Sequence, residues 1–599
     1  MCGINGFSWE DKNLIKQMNK IISYRGPDDK GTYTDKHVSL GHNRLSIIDL
    51  SKAGKQPMTN EDGSIFIVFN GEIYNFKEIK QKLIKKGHKF NSNTDTEVII
   101  HAYEEFGEEC LKLFNGMFAF AIWDTNNKKL FLARDRLGIK PLYYYLDQKN
   151  EKLIFSSEIK GILQHEIKKK INIQSFNSFL TYRFITSDET MIQNIKKLKP
   201  GHYLTYQNKK IHMNKYWNLK WNTINKSKDY FVKKIDQLLN ESVDKRLLSD
   251  VPLGIFLSGG LDSSLITSIN SKLRNDTIKT FSIGFNHKSD ELKYASKVAN
   301  LLNTNHKELI LDYNQITKEI PNIVWYMDEP HSDPSVIPLY FLSKFAKKDI
   351  TVVNTGEGAD ELFSGYYHYY IGSNLFNTIP NLIKKKVYNY YYSPFKKNQR
   401  KQLLNNSDNT NNNINSSIKE DNTLKRYLNK KHHILNNVLH FDIKKELPNW
   451  QLTRVDRLTM AHGMEARVPF LDHNLVELSS SIPTNLKQKG FCGKYILKKV
   501  AKKYLPKEII YRKKQGFTTP LHLWFKHDFN NITQNLFNDT NINFINKNYI
   551  KKLLNKQKNI KNHTKFTKST YQLFILSLFT IWHKTYIDQN KPKLINNLI

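Results

Sequence analysis

The sequence contains few cysteines and no apolar stretch long enough to cross a membrane. Its three cysteines, Cys2, Cys110 and Cys492, are too few and too widely spaced for a disulfide framework or a zinc site. The apolar segment 573–582 is short of the ~20 residues that a bilayer requires. No basic flank followed by an apolar signal stretch stands near the N-terminus. We therefore expect a protein of the reducing cytoplasm without a membrane partner.

Acidic residues are also scarce relative to basic ones. The chain has 56 Asp and Glu against 92 Lys and Arg, a formal net charge of +36. Such a charge is typical of nucleic-acid binding. The lysines, however, are spread along the whole chain among many asparagines and form no stripe interleaved with aromatic residues. We expect no nucleic-acid partner, and a positive field that favours anionic substrates.

The chain is long enough for two or more domains. Its 599 residues exceed the usual size of one domain. Asn, Lys and Ser accumulate after Trp217, which predicts domains at 1–216 and 230–585. The Asn- and Ser-rich stretch 404–423 predicts a flexible surface insertion, and 586–599 a loose tail.

A cysteine directly follows the initiator methionine. Removal of Met1 would place the thiol of Cys2 and a free α-amine on one residue. A thiol with a pKa near ~8.5 beside an amine near ~7.7–8.0 is a nucleophile with its own proton acceptor. Cys2 alone is weak evidence, because any residue can follow the initiator.

Downstream stretches supply the other groups that a thiol amidase acting on glutamine needs. The stretch 44–49 carries a guanidinium that can clamp an α-carboxylate, and the stretches 70–75 and 92–97 carry carboxylates that can hold an α-ammonium. The amide of Asn70 and the N–H of Gly71 can stabilise an oxyanion. Asn-Gly is also a common hairpin signal, so this pair alone favours an ordinary turn.

Together with Arg-Gly-Pro-Asp at 25–28 and Arg-Asp-Arg-Leu-Gly at 134–138, these motifs resemble the class II glutamine amidotransferases, which have an N-terminal nucleophile. The resemblance implies an α+β N-terminal domain of two stacked antiparallel sheets flanked by helices. It also implies that Cys2 attacks the glutamine amide while its own amine acts as the base. Asn70 and Gly71 would form the oxyanion hole. The glutamine-binding residues it implies are Arg44, Ile47, Asn70, Glu72 and Asp95.

The second half carries a glycine loop behind a short apolar run. Residues 251–257 predict a buried parallel strand, and Ser-Gly-Gly-Leu-Asp-Ser-Ser at 258–264 predicts a loop that opens a helix. Glycine N–H groups and a helix N-terminus receive phosphate. Asp262 beside phosphate requires a cation, which suggests Mg²⁺. No Gly-Lys-Ser/Thr follows, so this is not a Walker-type loop.

Two further strands agree with this interpretation. Residues 280–285, which include Ile283, predict a second strand. Another β-branched strand ends in the turn 355–361, which carries Glu357 and Asp360. Carboxylates just past a strand end lie where doubly wound sheets bind ligands, and they suit metal binding and proton transfer. A solvated acidic turn is the plain alternative.

The glycine loop resembles the pyrophosphate loop of N-type ATP pyrophosphatases, which implies an α/β domain with a mainly parallel sheet. With Cys2, the acidic turn and Met-Glu-Ala-Arg-Val-Pro-Phe-Leu-Asp at 464–472, nearly the whole chain resembles the glutamine-hydrolysing asparagine synthetases. The resemblance implies an ATP and pyrophosphate site formed by Leu257, Ser258, Gly259, Gly260, Asp262, Ser263, Ser264, Ile283, Thr355 and Gly356. The other implied roles are Mg²⁺ binding by Asp262 and Asp360, an acceptor and adenylate site at Glu357, Asp360 and Arg467, and catalysis by Glu357 and Lys514. For Arg467 the alternative is a simple ion pair with Glu465 or Asp472.

Some positions depart from the family pattern. Thr355 stands where serine is usual, Asn354 replaces an apolar residue, and Ser364 replaces a glycine. None of these exchanges removes a catalytic group, but they bear on nucleotide affinity.

The implied reaction uses glutamine, aspartate and ATP, and releases AMP and pyrophosphate through β-aspartyl-AMP. Ammonia must pass between the sites as the neutral molecule, and 117–123 either lines that passage or forms a plain core strand, which we favour.

Two alternatives stay open. One is an amidotransferase of the same fold that acts on another carboxylate, such as a sugar acid or a peptide side chain. The other is a nucleotide-modifying RNA-binding protein. A homodimer is compatible with all three.

Overall fold

The computed structural model describes residues 2–287, 290–372, 378–404, 419–514, 521, 529–538, 542–558 and 567–595. Most of the predicted insertion, at 405–418, and the end of the predicted tail, at 596–599, lie outside these residues.

The N-terminal half contains two six-stranded sheets, as predicted. In chain order the strands are β1 (Gly3–Phe7), β2 (Asp29–Asp35), β3 (Val38–Arg44), β4 (Met58–Thr59), β5 (Ile65–Ile73), β6 (Gly116–Asp124), β7 (Lys129–Arg134), β8 (Tyr143–Asp147), β9 (Lys152–Ser156), β10 (Ile195–Lys197), β11 (His202–Gln207) and β12 (Lys210–Lys215). One sheet has the order β10-β8-β9-β1-β3-β2 and the other β12-β11-β7-β6-β5-β4. The recorded strand pairs in both sheets are antiparallel. The helices of this half are α1 (Lys12–Ile21), α2 (Phe76–Ile84), α3 (Asp95–Phe106), α4 (Ile159–Ile162) and α5 (Ile173–Tyr182).

Alternation of side chains along the strands explains the layers. In β6, Ala119 and Ala121 contribute to the apolar cluster between the two sheets, together with Ile4 of β1. Phe118 and Phe120 project to the opposite face and contribute to the cluster that includes α2 and α3. Successive side chains of a strand point to opposite faces, so a wholly apolar strand is buried on both sides. Residues 117–123 therefore form a core strand.

The C-terminal half is built around a five-stranded parallel sheet, again as predicted. Its strands are β13 (Leu253–Phe256), β14 (Lys279–Gly284), β15 (Asn305–Ile310), β16 (Val352–Asn354) and β17 (Glu465–Arg467). Their order is β15-β14-β13-β16-β17, and each recorded pair is parallel. The strand order reverses at β13, with β14 on one side and β16 on the other. Ligands bind at such a switch point, outside the carboxyl ends of the strands.

Helices surround this sheet and fill the rest of the C-terminal half. They are α6 (Lys228–Lys245), α7 (Leu261–Leu273), α8 (Leu292–Leu301), α9 (Tyr313–Met327), α10 (Val336–Ala346), α11 (Ala359–Phe363), α12 (Asn381–Tyr392), α13 (Lys397–Leu404), α14 (Thr423–Leu428), α15 (Ile434–Phe441), α16 (Leu452–Met460), α17 (His473–Ser481), α18 (Thr484–Lys487), α19 (Tyr495–Ala501), α20 (Lys507–Ile510), α21 (Phe529–Asn538), α22 (Lys547–Lys558) and α23 (Lys568–Tyr586). A π-helical stretch, Asp442–Gln451, joins α15 to α16.

The long helix α23 is buried, as the apolar segment 573–582 predicts. The predicted start of the tail at residue 586 is wrong, because Tyr586 is the last residue of this helix and is fully buried. Its hydroxyl donates to the carbonyl of Trp325 at 2.7 Å. In the described part of the chain, no helix combines the length and the apolar character that a bilayer crossing demands.

A small apolar cluster joins the two halves. It contains Leu45 and Ile47 from the N-terminal half, and Leu253, Val352 and Met460 from the C-terminal half. Leu253 and Val352 are the first residues of β13 and β16. The N-terminal half therefore meets the amino ends of these strands, on the side opposite the glycine loop.

Candidate active sites

Cys2 lies just before β1 and is held by two polar contacts. Its backbone N donates to Oδ1 of Asn70 at 3.1 Å. Its carbonyl accepts a hydrogen bond from Nε of Arg25 at 3.1 Å. Nδ2 of Asn70 is buried and has no hydrogen-bond partner among the described residues. The amide of Asn70 thus fixes the nitrogen of the nucleophile and keeps a donor free beside it.

Gly71 follows Asn70 on β5 at a point where two strands approach closely. A Cβ atom at Gly71 would lie 2.1 Å from the carbonyl oxygen of Met117 on β6. Only glycine fits this position without displacing β6. The pair therefore lies inside a strand rather than in a hairpin turn, which excludes the turn interpretation.

The predicted glutamine-site residues converge on one small cavity of about 30 Å³. Its walls include six residues that the sequence predicts: Cys2, Arg44, Ile47, Gly71, Glu72 and Asp95. They come from the position just before β1, the end of β3 and the loop after it, the end of β5 and the first turn of α3. Arg44 is oriented by the loop after β3, since its guanidinium donates to the carbonyls of Ser51 at 2.8 Å and Asp49 at 2.5 Å.

Two buried carboxyl groups, those of Glu72 and Asp95, distinguish this cavity. Burial raises the pKa of Asp95 to about 7, against the hydrogen bond that its carboxylate accepts from Ile73 N at 2.8 Å. Burial and the nearby carboxylates of Glu465 and Asp95 raise the pKa of Glu72 well above its usual value. A ligand ammonium would lower the pKa of both carboxyl groups, because an opposite charge favours the ionised carboxylate. Burial also raises the pKa of the Cys2 thiol, so its attack requires a base.

A second, much larger cavity of about 720 Å³ opens at the carboxyl ends of β13, β14 and β16. It is lined by most of the residues predicted for the nucleotide and the acceptor: Leu257, Ser258, Gly260, Asp262, Ser263, Ile283, Thr355, Gly356, Glu357, Asp360 and Lys514. Two further predicted residues, Gly259 and Ser264, belong to the same sequence motif but do not line the cavity. Gly259 makes the turn at φ +65°, and Ser264 lies buried in α7.

The loop between β13 and α7 is organised by serine hydroxyls. Oγ of Ser258 and Oγ of Ser263 lie 3.1 Å apart, and Ser263 Oγ accepts from Ser258 N at 3.2 Å. Gly260 is the N-cap residue of α7, so the positive end of the helix dipole faces the cavity. This arrangement suits a phosphate group.

Lysines bring two predicted carboxylates together in this cavity. Nζ of Lys494 lies 2.5 Å from Asp262 Oδ2 and 2.7 Å from Asp360 Oδ1, and Lys514 also pairs with Asp360. Burial alone would raise the pKa of Asp360, but the two lysines lower it to about 2. Oδ1 of Asp262 is buried and has no hydrogen-bond partner in the described chain. An unsatisfied carboxylate oxygen beside a second carboxylate fits a hard divalent cation.

Glu357 lies on another side of the same cavity. Its Oε1 accepts from Nη2 of Arg454 at 2.9 Å, and Nη1 of Arg454 pairs with Asp333. Burial raises the pKa of Glu357, while the Arg454 guanidinium opposes the rise. An amine or ammonia close to Glu357 would meet a carboxylate able to accept a proton.

The structure does not bring Arg467 to this cavity, which corrects its predicted place in the acceptor site. Arg467 ends the edge strand β17 and is fully buried. Its Nε donates to Glu465 at 2.6 Å, and its Nη2 lies 3.5 Å from Glu72 of the first cavity. The side chain faces the glutamine site, where its guanidinium lowers the pKa of both Glu72 and Glu465 against the effect of burial.

Sequence reasoning missed Lys494, Arg454 and Arg512, which all line the larger cavity. Arg512 pairs with Glu291 at 2.5 Å. Each lies far along the chain from its partner, so spacing gives no signal. Lys494 has one unusual local feature, a left-handed backbone conformation with φ 52° at the start of α19. Such a conformation in a non-glycine residue is uncommon and concentrates at functional sites, but it is visible only in the structure.

Comparison with known proteins agrees with this pair of sites. The family model described as asparagine synthase matches residues 234–584, and that described as a glutamine amidotransferase domain matches residues 1–217. Glutamine-hydrolyzing asparagine synthetase 1 of Bacillus subtilis (strain 168) is 34% identical, over 98% of this chain and 97% of its own. Glutamine-hydrolyzing asparagine synthetase 3 of the same organism is 31% identical, over 87% and 88%. The chain therefore belongs to the asparagine synthase family and carries a glutamine amidotransferase domain at its N-terminal end.

Proposed function

We propose that the protein amidates aspartate to asparagine at the expense of ATP, with ammonia taken from glutamine. The observation that carries this proposal is the presence of two complete sites in one chain. One is a thiol pocket with an arginine and two carboxylates for an amino acid. The other is a glycine-loop cavity with lysines and carboxylates for a nucleotide. We assign the first half-reaction to residues 1–216 and the second to 230–585.

In the first half-reaction, Cys2 attacks the side-chain amide of glutamine. Once Met1 is removed, the nitrogen that Asn70 holds at 3.1 Å becomes a free amine, and it can take the thiol proton. Nδ2 of Asn70 and N–H of Gly71 stabilise the oxyanion. Arg44 binds the α-carboxylate, and Glu72 and Asp95 bind the α-ammonium. Water then hydrolyses the thioester, which releases glutamate after ammonia.

In the second half-reaction, the aspartate side-chain carboxylate attacks the α-phosphate of ATP and displaces pyrophosphate. The loop residues Ser258, Gly260 and Ser263 bind the phosphates, while Lys494 and Lys514 neutralise charge that develops on the leaving group. Asp262 and Asp360 would hold Mg²⁺, which supplies further charge neutralisation when bound. Glu357 accepts a proton from ammonia as the nitrogen attacks the acyl-adenylate.

Ammonia has to travel between the sites in its neutral form. Leu45 and Ile47 belong to both the glutamine cavity and the apolar cluster that joins the halves. On the far side, Leu253 and Val352 begin the strands that lead to the nucleotide cavity. This apolar junction supports a route along β13 and β16, since an apolar lining favours ammonia over ammonium.

The test is an end-point assay of purified protein with glutamine, ATP, Mg²⁺ and aspartate. Formation of asparagine, AMP and pyrophosphate in equal amounts is the expected result. Glutamate release without asparagine or aspartate-dependent pyrophosphate would overturn the aspartate assignment and indicate a different carboxylate acceptor. Salt-sensitive retention of RNA without glutaminase activity would indicate the nucleotide-modifying alternative instead.

The nucleophile is tested by Cys2→Ala. We expect this variant to lose glutamine-dependent synthesis while synthesis from added ammonium chloride continues, because the second cavity shares no residue with the first. Normal turnover of glutamine by the variant would show that the nucleophile is wrongly assigned.

The proposal also places the protein in the cytoplasm, as a monomer or a homodimer. The three cysteines are unpaired, which agrees with a reducing cytoplasm. Size-exclusion chromatography with light scattering would decide between a monomer and a homodimer.

A further inference from the structure

Arg467 is held rigidly between the two sites, with one donor left over. Its Nε donates to Glu465, and its Nη1 donates to the carbonyls of Arg246 at 2.9 Å and Leu248 at 2.6 Å. Its Nη2 is buried and has no hydrogen-bond partner among the described residues. The nearest carboxylate recorded for Nη2 is that of Glu72, at 3.5 Å, which is too long for a hydrogen bond to a charged group.

The main chain of Arg467 reaches the other site. Arg467 is the register partner of Asn354 in the β16–β17 pair. Its carbonyl accepts from the backbone N of Thr355 at 2.9 Å and lies 3.5 Å from the Thr355 hydroxyl. Thr355 and Gly356 line the nucleotide cavity. Arg467 therefore faces the carboxylate of the glutamine site with its side chain, and its backbone carbonyl holds the turn 355–361 of the nucleotide cavity.

Burial, together with the carboxylates of Glu465 and Asp95, raises the pKa of the Glu72 carboxyl group well above its usual value, while the Arg467 guanidinium opposes the rise. The α-ammonium of glutamine would favour ionised Glu72. An ionised carboxylate attracts the free Nη2 of Arg467, and a charge-assisted hydrogen bond shortens such a contact to about 2.7–2.9 Å.

We propose that Arg467 is a positioning residue that couples the two sites. Glutamine in the first site draws the guanidinium towards Glu72, and the carbonyl of Arg467 passes this shift to Thr355 and the rest of the turn 355–361. The inference rests on the proposed function and deepens it, because it assigns communication between the half-reactions to one residue. Coupling of this kind is reciprocal. If glutamine changes the affinity for the nucleotide, the nucleotide must change the affinity for glutamine by the same factor.

The test measures glutamine binding by calorimetry with and without α,β-methylene-ATP, an analogue whose α–β phosphate linkage cannot be cleaved. The Cys2→Ala background is used, so that no hydrolysis occurs. We expect α,β-methylene-ATP to change the glutamine Kd by about fivefold or more when Arg467 is present, the usual lower range of allosteric coupling. In Arg467→Met the ratio of the two Kd values should fall to one. Arg467→Lys, which keeps the charge but not the fork of donors, should give an intermediate ratio.

A matched control separates coupling from loss of a buried arginine. Arg246 is also buried near the junction and pairs with Asp472 at 3.4 Å, but its side chain makes no recorded contact with Glu72 or Thr355. Arg246→Met should lower the melting temperature while the Kd ratio stays as in the parent. A ratio of one in the parent, an unchanged ratio in Arg467→Met, or loss of the ratio in Arg246→Met would overturn the proposal.

These outcomes are distinct from failure of the proposed function. The calorimetric ratio requires only that both ligands bind, whereas the function requires asparagine as a product. If Arg467→Met does not fold, the ratio in Arg467→Lys decides, and a value equal to that of the parent contradicts the coupling.

Discussion

The side-chain amide of Asn70 has two separable parts at the residue scale. Its Oδ1 accepts from the nitrogen of Cys2, and its Nδ2 is the free buried donor. An acceptor can be kept while a donor is lost, because aspartate has the same shape as asparagine without the N–H groups. Substitution at this one residue can therefore distinguish alignment of the base from stabilisation of the oxyanion.

Asn70→Asp should lower the kcat of glutamine hydrolysis by at least about 10²–10³-fold, because one oxyanion donor is lost and the new carboxylate repels the oxyanion. Asn70→Ala should lose the same stabilisation and also the alignment of the Cys2 amine. The measurement is glutamate release at saturating glutamine, with ammonia-dependent asparagine synthesis as the internal control. Wild-type kcat in Asn70→Asp would exclude the amide as an oxyanion donor.

Asp262 offers a second prediction at this scale. Asp262→Asn keeps the shape of the side chain but removes the charge that faces Lys494 and the proposed Mg²⁺. We expect ATP-dependent pyrophosphate release to fall by at least about 10²-fold, because the phosphates lose their metal contact. Pyrophosphate release is followed with ammonium chloride as nitrogen source, and glutamine hydrolysis serves as the control. Unchanged release of pyrophosphate would contradict the role of this loop.

Local motifs explain which site residues could be predicted. Asn70 and Gly71, like Ser258 and Asp262, belong to contiguous stretches whose chemistry is visible in the sequence. Lys494 was missed because its partners Asp262 and Asp360 are distant in the chain and meet it only through the fold. Arg467 was misplaced for a related reason. The motif around Arg467 marks it as a site residue. The direction of its side chain follows from the edge position of β17, which the sequence does not indicate.

At the scale of elements, the close approach of β5 and β6 determines the geometry of the oxyanion hole. Gly71↔Phe118 is a register pair of these strands, and the carbonyl of Met117 occupies the space of a Cβ at Gly71. Fully apolar strands such as β6 are specified by burial on both faces. The glycine is what lets the strand that carries Asn70 approach β6.

Gly71→Ala should force β5 and β6 apart locally. We expect a lower melting temperature, with a loss of about 1–3 kcal/mol as for overpacked core sites, and a fall in glutamine hydrolysis greater than the loss of folded protein explains. Gly63→Ala is a suitable control, since a Cβ there meets no atom within 4 Å, although its φ of +72° adds some strain. A change in the KM for glutamine, which reflects binding at Arg44, with an unchanged kcat in Gly71→Ala would show that the spacing of β5 and β6 does not affect stabilisation of the oxyanion.

Secondary structure was predictable where the pattern is long or uniform. The strands β13, β14 and β16 follow from short apolar runs bounded by glycine, and α23 follows from its apolar length. β17 contains only three residues, Glu465–Arg467, two of them charged, and no pattern marks it as a strand. It forms because the edge of β16 offers backbone partners and the buried pair of Glu465 and Arg467 neutralises itself.

At the scale of the whole molecule, a buried network of charges ties the two halves together. Arg25 and Glu158 come from the N-terminal half, and Asp328, Asp456 and Arg457 from the C-terminal half. Arg25 lies 2.9 Å from Glu158 and 3.0 Å from Asp456, and Arg457 lies 2.7 Å from Glu158 and 3.2 Å from Asp328. Since Arg25 also donates to the carbonyl of Cys2, the junction supports the nucleophile directly.

Removing one member of this network should cost far more than removing a surface charge. Arg457→Met would leave Glu158 and Asp328 with less compensation in a dry environment, and we expect the junction to lose about 3–5 kcal/mol, the usual cost of breaking a buried pair. Scanning calorimetry should show the N-terminal half melting separately and at a lower temperature. Lys297→Met is the control, because Lys297 and Glu508 are both more than half exposed and such pairs contribute at most about 1 kcal/mol. If Arg457→Met melted like Lys297→Met, the apolar junction rather than the charges would hold the halves together.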